Sequence, residues 1–106
     1  MNISPGTVDV FFAIGDQTRR GLLQRLADEG ERSVTELVEP LPMSQPAVSK
    51  HLRCLREAGL VRSRTEGKRR LYSIDAGNLR EVHHWVSTFE RYWDTKLDAL
   101  ASYLDQ

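Results

Sequence analysis

The sequence predicts a mainly α-helical domain carrying one small β-hairpin, on three observations. Capping residues and glycine stops divide residues 8–59 into four short helices. Residues 60–74 switch to β-compatible runs around a glycine turn, and from Leu79 apolar residues again recur at helical spacing. At 106 residues the chain has the size of one domain, which excludes a two-domain enzyme. With 40% hydrophobic and 28% charged residues and a mean hydropathy of −0.48, it reads as soluble and globular.

Val8, Phe11, Phe12 and Ile14 have helical spacing and predict a short first helix ending at Gly15. Asp16 then caps a second helix running to about Glu29, with Leu22, Leu23 and Leu26 as its buried stripe and Gly30 as its stop. Gly21 inside that helix costs about 1 kcal/mol relative to alanine, and nothing in the sequence accounts for it. Ser33-Val-Thr-Glu36 is a capping box opening a third helix, which Pro40 and Pro42 end within two turns. Ser44 caps a fourth, and Pro46 falls in its first turn, where an N–H would have no intrahelical partner.

This fourth helix runs through Val48, Leu52 and Leu55 and stops at Gly59. Two helices joined by a tight, stiff link make a helix-turn-helix candidate. Burying Val48, Leu52 and Leu55 leaves Gln45, Ser49 and Arg53 outside, with Pro46, Lys50 and Arg56 nearby. Glutamine bonds adenine in a bidentate way, arginine or lysine bonds the guanine acceptors, and a helix fits the major groove.

Leu60–Thr65 and Arg69–Ile74 flank Glu66-Gly67-Lys68 as a basic hairpin. Arg62 and Arg64 fall in phase with Leu60, so its faces stay unassigned. A zero formal charge hides an asymmetry: residues 50–72 hold eight bases against two acids, a net +6, while both flanks are acidic. One concentrated basic segment suits a polyanion. The hairpin bases Arg62, Arg64, Lys68, Arg69 and Arg70 are candidates for phosphate contact, which needs charge rather than register.

From Leu79 to Leu104 the spacing of Leu79, Val82, Val86, Phe89, Trp93, Leu97, Leu100 and Leu104 predicts one long helix, about 39 Å at 1.5 Å per residue. That exceeds what the rest of the domain can cover. The uncovered stripe (Val86, Phe89, Trp93, Leu97 and Leu100), helped by Phe11 and Phe12, is expected to pair with a second copy as a two-fold dimer.

Helix, helix, helix-turn-helix, basic hairpin, long helix is the order of a winged helix. Nearly the whole chain resembles the ArsR/SmtB family of bacterial repressors. The matching words are Gly15-Asp-Gln-Thr-Arg-Arg20, Ser33-Val-Thr-Glu-Leu37, Met43-Ser-Gln-Pro-Ala-Val-Ser-Lys-His-Leu52, Leu55-Arg-Glu-Ala-Gly-Leu-Val61 and Arg70-Leu-Tyr-Ser-Ile74. The resemblance implies a homodimeric repressor of an inverted-repeat DNA operator, released by a small-molecule inducer that the sequence does not identify. It carries DNA contact onto Ser44, Gln45, Ala47, Ser49, Lys50 and Arg53. The expected architecture is one winged helix-turn-helix domain over residues 1–106, dimeric through its first and last helices.

Metal-sensing members use cysteines on the helix before the turn, where this chain has Glu36-Leu-Val-Glu39, or ligands along the last helix, which align near Ala76, Asn78, Phe89 and Tyr92. Neither set suits zinc, so no metal or cofactor is expected. Phe89-Glu-Arg-Tyr-Trp-Asp94 is similar to a branch of the family without a metal site.

His83 and His84 point about 100° apart on a helix, which fits solvent or interface better than a metal. His51 reads as a packing and hydrogen-bonding residue. Cys54 reads as a small buried filler, with repressor release by its oxidation as the alternative. An aromatic ligand pocket is the alternative use of the 85–93 stripe. No catalytic triad or carboxylate pair is present to support an enzyme. The remaining rival is a dimeric interaction module without DNA affinity. The longest apolar run, Val10 to Ile14, is far too short to cross a bilayer, and one cysteine fits a reducing cytoplasm.

Overall fold

Three helix starts are made by the side chains the sequence assigns to them. In the computed structural model, which describes residues 8–93 and 103–104, Asp16 accepts from the Arg19 amide at 3.0 Å and opens α2 (Gln17–Glu29), ended by Gly30 at φ 83°. Ser33 and Glu36 form the complete capping box of α3 (Val34–Val38), with bonds of 3.2 and 2.8 Å. Ser44 accepts from the Ala47 amide at 3.2 Å and opens α4 (Gln45–Glu57). Before them, α1 is one turn, Val10–Ala13, shorter than its apolar spacing predicts; Asp9 makes no side-chain cap, and Gly15 N–H turns back to the Phe12 carbonyl at 3.0 Å.

The core gathers the stripes of these helices. Leu22, Leu26, Leu37, Val48, Leu52, Leu55 and Leu60 are completely buried in one cluster with Val61 and Tyr72. Each such side chain contributes about 1.5–3 kcal/mol on leaving water, so α2, α3 and α4 are held as one body. Gly59 leaves α4 at φ 76°, and the Asn78 side chain donates to the carbonyls of Ala58 and Gly59 at 3.2 and 3.5 Å, satisfying that helix end.

The hairpin forms as β2 (Val61–Glu66) and β3 (Arg69–Ile74), paired antiparallel from Val61↔Ile74 to Glu66↔Arg69. Its two-residue loop, Gly67-Lys68, uses the left-handed conformation at Gly67, φ 63°. A third strand, β1 (Arg32–Ser33), joins the other edge of β3, giving the order β1-β3-β2. The register assigns the faces. Val61, Tyr72 and Ile74 lie on the core side, and Arg62, Arg64 and Arg69 share the opposite side.

A 3₁₀ turn, Ala76–Asn78, leads into α5 (Leu79–Ser87). The expected continuous helix to Leu104 breaks at Thr88–Phe89 and resumes over 90–93. Ser87 and Thr88 hydroxyls donate to the carbonyls of His84 and Trp85 at 2.8 and 2.7 Å, and the amides of Thr88 and Phe89 also reach back only three residues. Such local bonds compete with the helical ladder. Leu97 and Leu100 lie outside the described residues. Among the described residues no helix is long and apolar enough to cross a membrane.

Candidate nucleic-acid interface

Helix α4 has two chemically distinct sides. Val48, Leu52 and Leu55 are 0% exposed, while Gln45, Lys50, Arg53 and Arg56 are exposed and Ala47 and Ser49 are partly so. The helix is thereby anchored by one stripe and presents the opposite one. Ser44, the cap, uses an oxygen lone pair on the Ala47 amide and keeps its hydroxyl proton to donate. Arg53 Nε donates to Glu57 at 3.1 Å, leaving its terminal nitrogens for another acceptor.

The wing presents bases of two kinds. Arg62 pairs with Asp75 at 3.1 Å, Arg64 with Glu31 at 2.8 Å, and Arg69 with Glu36 at 3.4 Å. The Arg64 hydrogen bond holds the Glu31 carboxyl below the usual carboxylate range, and Glu31 makes Arg64 still harder to deprotonate. Glu36 is held low chiefly by the Ser33 amide, and Asp75 by Arg62 and then the Gly77 amide. Lys50, Arg56, Lys68 and Arg70, by contrast, make no ion pair among the described residues; Arg70 makes only a 3.5 Å bond to Ser63.

Helix and wing meet at a groove of about 500 Å³ lined by Thr35 and Glu36 of α3, Gln45 of α4 and Lys68, Arg69 and Arg70 of the wing. The sequence-predicted residues Gln45, Lys68, Arg69 and Arg70 are therefore neighbours, whereas Arg62 and Arg64, on the same face of the hairpin as Arg69, do not line the groove. Thr35 and Glu36 had been assigned only to the third helix and its capping box; the fold of the wing over α3, which local sequence does not signal, brings them into this groove.

A second surface is apolar. Phe11, Trp85, Phe89 and Trp93 form a ladder of ring contacts at 5.7, 5.3 and 6.3 Å, joining α1 to α5 and the segment after it. Phe12 is 63% exposed, Tyr92 60% and Trp85 54%; Val86 is half-buried. This far exceeds scattered surface hydrophobics.

The remaining candidates are His51, Cys54 and the pair His83 and His84. His51 Nδ1 lies 3.2 Å from an Arg19 nitrogen, and since arginine only donates, the histidine accepts there. Burial pushes the Cys54 thiol up, with the Arg19 charge opposing; the net direction is away from the thiolate that an oxidation switch uses. His83 and His84 are exposed, and no three metal-ligating side chains come together among the described residues.

Residues 16–63 match the family described as bacterial regulatory protein, arsR family. The chain is 40% identical over 93 residues to the HTH-type transcriptional regulator Rv2034 of Mycobacterium tuberculosis, covering 88% of this chain and 83% of that one. It is 30% identical over 89 residues to the transcriptional repressor SdpR of Bacillus subtilis, 84% and 98% of the two chains. A solved structure of an ArsR family transcriptional regulator superposes with a TM-score of 0.70 at 32% identity, over 79% of this chain and 86% of that one.

Proposed function

Because the chain belongs to the arsR family of bacterial regulatory proteins and is a DNA-binding transcriptional regulator with a winged helix-turn-helix fold, we propose that it acts as a cytoplasmic homodimeric repressor of an inverted-repeat operator. Each protomer places α4 in a major groove and its wing along the flanking backbone. The single observation that carries this reading is the division of α4, whose buried stripe leaves Gln45, Lys50 and Arg53 exposed and Ser49 partly so, with Gln45 lining the wing-tip groove. Gln45 and Arg53 are the base readers. Ser44, Ala47, Ser49 and Lys50 set the approach. Lys68 and Arg70 meet phosphate directly, and Arg62, Arg64 and Arg69 add charge only by leaving Asp75, Glu31 and Glu36.

The aromatic ladder supports the dimer, with Phe11, Phe12, Val86, Phe89 and Trp93, among the described residues, as its proposed contacts. Repression is supported by the name of the relative SdpR. An inducer, where one acts, is a small molecule that biases the dimer between DNA-competent and incompetent arrangements.

The test is a salt titration of duplex binding. With about four phosphates neutralised per protomer, matching Lys50, Arg56, Lys68 and Arg70, log affinity should fall with log salt at a slope of about −7 for the dimer. No duplex affinity in dilute buffer would instead identify an interaction module.

A further inference from the structure

Arg19 lies on α2, outside both the reading helix and the wing, yet its guanidinium reaches two other elements, α1 and α4. Nε donates to the Ala13 carbonyl at 2.7 Å, and Nη2 donates at 3.2 Å to the Phe12 carbonyl, which also accepts the Gly15 N–H; both carbonyls lie at the end of α1. Nη1 donates to His51 Nδ1, at 3.2 Å, in the middle of α4. The guanidinium also sits 5.2 Å from the centre of the Phe12 ring. Asp16 holds the base of the arrangement, accepting the Arg19 amide at 3.0 Å with its carboxylate 3.9 Å from His51 Nδ1.

We propose that Arg19, acting through His51, is a positioning residue that fixes the angle between α1 and α4, and thereby the separation of operator half-sites that the dimer accepts. The proposal rests on the dimeric reading above. The aromatic ladder ties α5 to α1 through Phe11 and Trp85, so α1 belongs to the surface placed at the two-fold axis, while α4 carries the DNA-facing residues. A rotation of α4 against α1 moves the two α4 helices of the dimer apart or together. It must also stretch the bond from Nη1 to His51, because the other two guanidinium nitrogens are held by α1. Three partners in three directions require a planar fork; a lysine ammonium retains the charge but donates from one atom and cannot span them.

The experiment measures binding to a set of inverted repeats built on the half-site that the protein enriches from a random duplex pool, with the central spacer changed by one or two base pairs. A structural role alone weakens binding to every spacer by the same factor, whereas a positioning role changes their ranking. Arg19→Lys and His51→Leu should reduce discrimination between the best spacer and its one-base-pair neighbours by about 2- to 30-fold, the range for residues that couple two sites, with affinity for an isolated half-site unchanged. His51→Asn, whose amide oxygen replaces the Nδ1 acceptor, should keep the wild-type ranking. Should Arg19→Lys misfold, the two His51 variants carry the comparison. A uniform loss across spacers, an unchanged ranking in His51→Leu, or a wild-type protein indifferent to spacing overturns the proposal. A wild-type protein that is monomeric or binds no duplex overturns the dimeric reading itself.

Discussion

Arg64 and Glu31, 33 residues apart in sequence, meet through two hydrogen bonds of 2.8 Å from Nε and Nη2, a fork-to-carboxylate pairing. The third nitrogen faces Glu66 at 3.5 Å. A guanidinium so engaged must leave Glu31 before it can neutralise a phosphate and release the cation condensed there. Lys68, in the hairpin loop, has no such partner among the described residues. Lys68→Ala should therefore flatten the salt dependence of duplex binding by about 1.8 for a dimer that loses two phosphate contacts, and Arg64→Ala by distinctly less. Fluorescence anisotropy across a salt series compares them; equal flattening would make Arg64 a phosphate contact of the same rank.

The acid side of the stability curve follows from the same carboxylates. Asp16 is held low by the Arg19 amide, Glu29 by Arg25, Glu31 by Arg64, Glu36 by the Ser33 amide and Asp75 by Arg62. A carboxyl whose pKa is lower folded than unfolded binds more protons when unfolded, so its stabilisation is full above the unfolded value and disappears as pH falls through the folded one. The urea midpoint should stay level from neutrality to about pH 5 and decline below the unfolded values, near 4.5 for Glu and 3.8 for Asp. Glu31→Gln should shrink that decline; a midpoint that rises on acidification would contradict the assignment.

Two glycines should respond oppositely to alanine. Gly59 has a left-handed backbone, and a Cβ there would overlap the Asn78 amide nitrogen that caps α4. Gly59→Ala should cost about 1–3 kcal/mol. Gly21 has ordinary helical geometry and open space where its Cβ would be. Gly21→Ala should add about 0.5–1 kcal/mol through helix propensity. Chemical denaturation of both variants decides the matter, and a destabilised Gly21→Ala would show that the open space is used.

The proposed dimer surface is tested at Trp93, stacked on Phe89 at 6.3 Å and 42% exposed. Trp93→Glu places a charge in the proposed interface and should halve the sedimenting mass at micromolar concentration. Operator affinity should then fall to that of a single half-site. A dimer of unaltered mass would move the interface elsewhere.

Much of this fold was legible because its boundaries are local chemistry. Asp16, Ser33 with Glu36, and Ser44 are caps that act on amides within three residues, and Gly30, Gly59 and Gly67 supply left-handed turns where the chain reverses. The illegible features are non-local or too short to have a period. Two residues, Arg32 and Ser33, cannot show the alternation of a strand, so β1 appears only through its pairing with Leu71 and Tyr72. Apolar spacing continues past Ser87 because periodicity reports faces and not hydrogen bonds; the hydroxyls of Ser87 and Thr88 interrupt the ladder without disturbing the pattern. In the wing, Arg62 and Arg64 follow the phase of Leu60, and only the pairing of Val61 with Ile74 shows which side meets the core. The sequence also shows eight bases in a row of 23 residues but not which acids answer them; Glu31, Glu36 and Asp75 come from other elements.

The central claim is that two copies present α4 to a symmetric duplex, with Gln45 among its base readers. Its most direct test is enrichment of bound duplexes from a random pool by the purified protein, repeated with Gln45→Ala. The expected product is an inverted repeat with half-site centres about 34 Å apart, one helical turn. Gln45→Ala should relax the preference at one position per half-site, costing about 1–3 kcal/mol there. Enrichment of a single asymmetric site, or of nothing, would contradict it.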